Sequence, residues 1–238
     1  MYTLDQVSHE EASFRAQIFD VLEEFIRSHR TDSVASDGVA ADTQAALRVL
    51  GREGANPEHR HLKLHDLVLP RVNLTMANLS GADFKGTVLK GADLFKANLY
   101  DAELYGATLD LANMPGVNLA RAHLCDGWGY KAATLKGSEL TSAEFYGACL
   151  RGAVFANAKL LGAKFAGVEL DGVDFSGSDL WEADFRNAKL RGVDFTRARL
   201  AKANFTGATL REVKWDAVEG TPVFCRTMID GQQRDDGC

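Results

Sequence analysis

The chain has 238 residues, 46% apolar and 25% charged, with a formal net charge of -6 at pH 7. This length supports a sizeable core, and the composition is that of a folded chain rather than a disordered one. No apolar run approaches the ~18 residues of a membrane span, the acidic balance does not advertise nucleic-acid binding, and four Cys are too few for a disulfide scaffold and point to a reducing cytoplasm.

The first residues carry several carboxylates and no apolar stretch closed by a small-residue cleavage site, which argues against a secretory leader. Leu4, Val7, Phe14, Ile18, Val21, Leu22, Phe25 and Ile26 recur at three- and four-residue steps, the spacing of an amphipathic helix over residues 5–29. Thr31 to Ala41 is polar and reads as a loop. Asp42 or Thr43 can N-cap a second helix through Gln44–Leu50, with Gly51 ending it. Residues 1–61 thus form a helical cap and linker; a docking module for a partner is the alternative.

From Leu62 a period of five takes over. Its large centres run Leu64, Leu69, Leu74, Leu79, Phe84 and onward to Leu124; the frame slips by one residue and resumes from Leu135 to Trp215. That makes 30 units, with Leu at 20 centres and Phe at eight; two residues before the centre stands Ala 19 times and Val six. Neither a helix nor a strand puts every fifth residue on one face. The backbone must turn once per unit so that each centre and each small residue points inward, a large side chain alternating with Ala to fill a narrow interior. Gly after the centre suits corners that need positive φ. Every fourth centre then lies on the same wall of a four-sided coil. Phe155, Phe175, Phe195 and Trp215 form one aromatic column, and Phe145, Phe165, Phe185 and Phe205 the opposite one.

Units such as Ala77-Asn78-Leu79-Ser80-Gly81 and Ala203-Asn204-Phe205-Thr206-Gly207 resemble the Ala-(Asp/Asn)-Leu-x-Gly unit of the pentapeptide-repeat family. The resemblance covers residues 62–217 and implies an all-β solenoid, a right-handed quadrilateral β-helix with four units per coil. About 7.5 coils at ~4.8 Å each give a rod roughly 36 Å long. Thr43–Arg52 is similar to a helical module that precedes the repeats in many actinobacterial-type members. Phe224-Cys225-Arg226-Thr227-Met228-Ile229-Asp230-Gly231 with the final Cys238 resembles a C-terminal motif of some relatives, with Ile229 where they have Pro. In residues 218–238 the period stops. Val223–Met228 reads as a strand, Asp230-Gly231 as a tight turn and Gln232–Asp236 as a return strand. Cys225 and Cys238 come close there, as free thiols or as a redox-dependent disulfide; without a nearby His a metal is not indicated.

Candidate chemistry is sparse. His59, His61 and His65 cluster near the solenoid entrance but read as solvated, and a His123/Cys125 nucleophile pair lacks a third orienting group. No phosphate loop, dinucleotide fingerprint or nucleophile elbow is present, a filled interior leaves no substrate cavity, and no catalytic residue, metal or cofactor is implied. Family members that mimic duplex DNA to occupy type II topoisomerases need dense negative charge, about one per 1.7 Å. Residues 62–217 instead carry 18 acidic and 19 basic side chains. What remains is surface. Phe95, Tyr100 and Tyr105 follow consecutive centres and point outward, and the slip at 125–132 forms a bulge carrying Trp128 and Tyr130. These five rings suggest one aromatic band; Leu161, Trp181 and Ala201 form a second apolar column. The expectation is a non-enzymatic, cytoplasmic protein-interaction scaffold that binds another protein or a second copy of itself, without direct contact to nucleic acid or membrane. The alternative is a DNA-mimicking modulator of DNA gyrase that gives antibiotic protection.

Overall fold

The computed structural model describes residues 17–18, 20–28, 38–53 and 61–238. Leu4, Val7, Phe14, His59 and most of the expected loop from Thr31 lie outside these residues.

From residue 61 the backbone winds in coils of four units each. The first coils carry four parallel β-bridges each to the next: Lys63, Val68, Asn73 and Asn78 pair with Asp83, Val88, Asp93 and Asn98, which pair again one coil further on. Between bridges the chain turns through a hydrogen bond from the residue three after the centre back to the centre's carbonyl, as in Ala82 N to Leu79 O at 3.1 Å. The residue two after the centre has positive φ, which makes these type II turns. Gly fills that place at Gly81, Gly86 and Gly106, but Asp101, Glu182 and Arg197 adopt it too, with φ of 57–58°. Near the C-terminal end the bridges lengthen into strands β1 (Glu169–Asp171), β2 (Lys189–Arg191), β3 (Thr209–Arg211), β4 (Thr227–Ile229) and β5 (Gln232–Arg234). β1 to β4 are parallel neighbours in chain order, and β5 folds back antiparallel on β4.

The interior is filled by the centres and their small partners, all but a few of them fully buried. The two aromatic columns stand as the period requires. Within a column the rings stack at 4.6–5.5 Å between centroids. Across the interior, rings of opposite columns meet edge to face at 5.4–6.4 Å, the two arrangements that the ring quadrupole favours. Where a hydroxyl takes the small place it is buried and satisfied internally. Thr87 Oγ1 donates to Leu64 O at 2.6 Å, and Ser178 Oγ to Phe175 O at 2.6 Å.

The coil does not stop at residue 217, where the period breaks. Val223 bridges Asn204, Phe224 stacks on Phe205 at 5.5 Å, and β4 pairs with β3. This last turn is one residue short of a full coil, which hides it from a search at period five. The expected Asp230-Gly231 turn joins β4 to β5, both residues at positive φ.

A β-solenoid exposes unpaired backbone at its first coil, and two helices cover it. Residues 20–28 (α1) bury Ile26 against the core, with Leu22 and Phe25 partly buried beside it. From α1, Glu23 Oε1 accepts the Lys63 N–H at 3.1 Å, and Arg27 Nη2 donates to the Lys63 carbonyl at 2.9 Å. The second helix, α2 (Ala41–Glu53), supplies Gln44, whose amide accepts from Asn73 N–H at 2.8 Å and donates to Asn73 O at 2.7 Å. A side-chain amide thus takes the place of a missing strand. Gly51 does not end α2 but lies inside it. Its carbonyl accepts the Asn78 N–H at 2.9 Å, and a Cβ there would stand 2.8 Å from the Ala77 Cβ. Close approach to the coil is what calls for glycine at this position.

Phe175→Ala should empty one aromatic layer and cost about 3–5 kcal/mol, whereas Ser176→Ala on the outer side should stay within about 0.5 kcal/mol; a denaturant titration of both variants checks this. At the cap, burial holds the Glu23 carboxyl above its ordinary value of 4.5, against the pull of the Lys63 N–H, Lys63, Arg27 and His65. The folded state therefore binds that proton more readily than the unfolded chain. Its contribution to stability is complete below the ordinary value and is lost as pH rises through the raised one. Melting curves of Glu23→Gln should accordingly gain most over the parent near neutral pH, the gain shrinking on acidification. A pH-independent difference would mean an unperturbed carboxyl.

Candidate functional site

With the interior filled, chemistry and recognition are confined to the outer surface, and the coil register decides which side chains share a wall. Residues just after the centres stack in columns. Lys96 N–H bonds to Pro115 O, Gly116 N–H to Thr141 O, Ser142 N–H to Leu161 O, Gly162 N–H to Trp181 O and Glu182 N–H to Ala201 O, at 2.8–3.0 Å. Phe95, Pro115, Thr141, Leu161, Trp181 and Ala201 therefore lie one above another on a single wall. Phe95 and the Leu161/Trp181 pair, read from the sequence as separate patches, belong together. Lys96 Nζ stands 5.3 Å from the Phe95 ring centroid, while Arg199 and Lys202 flank Trp181 at 5.4 Å, so cations frame the apolar stripe.

The expected band of five rings does not form. Tyr100 sits on the next wall, above which come Ala120 and then Tyr146. Its hydroxyl accepts from Arg121 Nη1 at 3.1 Å. Tyr105 is buried: its ring stacks on His123 at 5.4 Å, and Gly127 lies so close that a Cβ there would meet the ring at 2.9 Å. Consecutive centres face different walls of a four-sided coil, which is why neighbours in sequence point in different directions.

The frame slip is larger than one residue. Thr108 bridges Thr134, six residues beyond the place one full coil would reach, so the chain ejects six residues and then resumes its register. The ejected segment is a hairpin in which Gly127 and Tyr130 pair antiparallel, with Trp128 and Gly129 at the tip. Both tip residues have positive φ, the type I′ turn that suits a tight hairpin. The hairpin lies back along the wall. Tyr130 crosses Gly106 and Gly86, and its hydroxyl donates to Asp66, 3.0 Å from Oδ1. The hydrogen bond to Asp66 leads the causes that hold this hydroxyl above the ordinary tyrosine value. Trp128, 80% exposed, is the ring left in solvent.

Sequence reasoning missed a second cross-link. Cys125 and Cys149 form a disulfide with Cα atoms 5.4 Å apart, which ties the base of the hairpin to the next coil. The His123/Cys125 pair is thereby accounted for without chemistry: the sulfur is already bonded and His123 stacks on Tyr105. The signal was present, because one enlarged step back from Cys149 lands on His123, two residues from Cys125. Cys225 and Cys238 also form a disulfide, with Cα atoms 5.2 Å apart. The expectation of a reducing compartment did not foresee two such bonds. Of the entrance histidines within the described residues, His61 lies over Gly81, and His65 Nδ1 stands 3.2 Å from Asp83 Oδ2.

Carboxylates on the outer faces meet cations one coil away. Lys164 pairs with Glu144 at 2.6 Å, Lys189 with Glu169 at 2.8 Å, Arg199 with Asp179 at 3.1 Å and Lys214 with Asp194 at 3.2 Å, each pair spanning a single coil step. Near the cap, burial pulls the Lys85 ammonium down, but Glu103 and Asp83 outweigh it and hold the group above its ordinary value.

A profile described as pentapeptide repeat region matches residues 148–219, and one for pentapeptide repeats in eight copies matches residues 72–110 and 132–155; together they cover more than half of the chain. The chain belongs to the pentapeptide-repeat family. Among solved pentapeptide-repeat structures, Rfr23 from the cyanobacterium Cyanothece 51142 is 25% identical, over 54% of this chain and 91% of that one, with a TM-score of 0.39. HetL from Nostoc sp. strain PCC 7120, described as involved in heterocyst differentiation regulation, is 26% identical over 72% and 78%, with a TM-score of 0.24. QnrB1, a plasmid-mediated fluoroquinolone resistance protein, is 20% identical over 68% and 83%, with a TM-score of 0.37. No curated protein matches. Among the described residues no helix is long and apolar enough to cross a membrane.

The pentapeptide turns give a controlled test of the hairpin's seat. Gly106 and Gly192 both have positive φ, but a Cβ at Gly106 would stand 3.0 Å from Tyr130 whereas one at Gly192 meets nothing within 4 Å. Gly192→Ala should cost about 1 kcal/mol, the ordinary left-handed penalty. Gly106→Ala should cost measurably more in the same denaturant titration, because it also lifts the hairpin.

Proposed function

We propose that this chain is a non-enzymatic, right-handed pentapeptide-repeat scaffold that binds another protein through the Phe95–Pro115–Leu161–Trp181 wall. The observation that carries the reading is the alignment of these residues in one column on a rigid face. Aromatic and apolar anchors supply most of the binding energy at interfaces, and a prebuilt face loses little conformational freedom on docking. Arg199 and Lys202 beside Trp181 are already paired with Asp179 and Glu182, so the apolar surface rather than net charge carries the proposed affinity. A filled interior and the absence of a free thiol among the described residues support a role in binding rather than catalysis.

Gyrase modulation by DNA mimicry is the weaker reading. A mimic needs rows of uncompensated negative charge, and here the carboxylates of successive coils alternate with lysine and arginine along the column Glu139, Lys159, Asp179, Arg199.

A photo-crosslinking residue at position 161 should capture a protein partner, and one at Thr196 on a different wall should not. Trp181→Ala should weaken the captured complex by about tenfold or more while leaving the melting temperature nearly unchanged. Equal capture from both positions would remove the wall from the proposal. Inhibition of gyrase supercoiling by the purified chain would favour the DNA-mimic reading instead.

A further inference from the structure

The Asp230–Gly231 turn does more than close the last coil. By folding β5 back on β4 it brings Asp235 to the two terminal cysteines. The sulfurs of Cys225 and Cys238 and a carboxylate oxygen of Asp235 all lie within 4.8 Å of one another, the one such convergence of three His, Cys, Asp or Glu side chains among the described residues. The carboxylate is held in place from behind. Asp235 Oδ1 accepts the Arg226 N–H at 2.8 Å, and Oδ2 accepts from Gln233 Nε2 at 2.9 Å. These two bonds hold its carboxyl below the ordinary carboxylate value. Cys225 sits on paired backbone, since its carbonyl accepts the Gly207 N–H at 2.8 Å, while Cys238 and Asp235 are exposed. Outer donors that fix a ligand's orientation are a recurring feature of metal sites.

We propose that reducing the Cys225–Cys238 disulfide turns this corner into a binding site for a thiophilic divalent cation of the Zn²⁺ class, with Cys225, Cys238 and Asp235 as its three protein ligands. A dithiol breaks the S–S bond, delivers two electrons and two protons, and closes into its own disulfide. The cation then displaces the two thiol protons and is held by two thiolates and one carboxylate. Two sulfurs select a borderline-soft ion over calcium or magnesium, and four-coordinate Zn²⁺ completes its shell with water. The end cap is thus stapled either by the disulfide or by the ion, never by both. No His is needed, and Asp235 becomes a ligand only once the hairpin has closed, which is why two cysteines alone did not suggest a metal.

Co²⁺ serves as the spectroscopic probe. The full chain is reduced with dithiothreitol without oxygen, freed of reductant by desalting, titrated with Co²⁺ and then with Zn²⁺. A thiolate-to-cobalt charge-transfer band should saturate at one equivalent, disappear when Zn²⁺ is added, and be absent from the oxidised chain. Because Cys125 and Cys149 are reduced as well, Cys149→Ser should retain the band. Cys225→Ser should lose it, and Asp235→Asn should weaken Co²⁺ binding by about tenfold or more. Circular dichroism follows each variant, and Cys238→Ser, at the exposed return, replaces Cys225→Ser if the latter unfolds. No band in the reduced parent, a band that survives loss of either terminal cysteine, or one indifferent to Asp235→Asn overturns the assignment.

Discussion

Everything on this molecule's surface is placed by one interaction, the pair of backbone hydrogen bonds between each bridge residue and the two residues flanking its counterpart one coil away, as Asp83 bonds Leu62 and Leu64 around Lys63. The pair fixes a register, and the register repeats every side chain at the inter-coil spacing. Asn78, Asn98 and Asn118 consequently form a ladder of amide bonds at 3.0 Å. The same register stacks phenylalanines inside and sets carboxylates beside ammonium groups outside. Each exposed ion pair contributes little to stability on its own. Their combined effect is to offset charge between neighbouring coils at those pairs, although like charges also stack, as at Asp174–Asp194 and Arg191–Arg211.

A ladder of this kind satisfies most of its own polar groups along its length and leaves open those at its ends, so demands for special chemistry gather there. At the first coil those demands are met by side chains imitating backbone: Gln44 pairs with both polar groups of Asn73, and Glu23 and Arg27 divide those of Lys63. At the last coil a real strand, β5, folds back to cover β4, and the Cys225–Cys238 bond holds the return. The first solution leaves a buried carboxyl with weakened acidity, and the second leaves an exposed cross-link.

The repeated interior was legible because each unit carries the same two demands, one large and one small inward residue, over enough copies that no other periodicity competes. The aromatic columns followed from taking every fourth centre and needed no structure. What the sequence hid were departures from that spacing. Phe224 continues an aromatic column but sits one position early relative to Phe205, so the final turn looked like an ending. The six ejected residues registered as a slip of one, since five of them make a whole unit in the count. Once all six are counted into the step, Cys149 falls beside Cys125 and the first disulfide follows. The outer wall failed differently. Phe95, Tyr100 and Tyr105 are close in sequence, but the chain turns a corner between them, and Phe95 stands in line with Trp181, several coils further along the chain.

The hairpin at Trp128 shows what such a coil permits. Six residues enter at one corner, and both the coil beneath and the coil above keep their bridges, from Glu103–His123 to His123–Cys149. Lengthening a surface loop costs only a slowly growing entropy, and here the bridges on either side of the insertion are retained. Each corner is therefore an independent place where a lineage can add, trade or delete a loop while the rod is inherited unchanged. In a globular domain most insertions must negotiate with a shared core. In this architecture novelty is local, and a new protrusion can arise, be sampled by selection and be lost again without the fold being renegotiated.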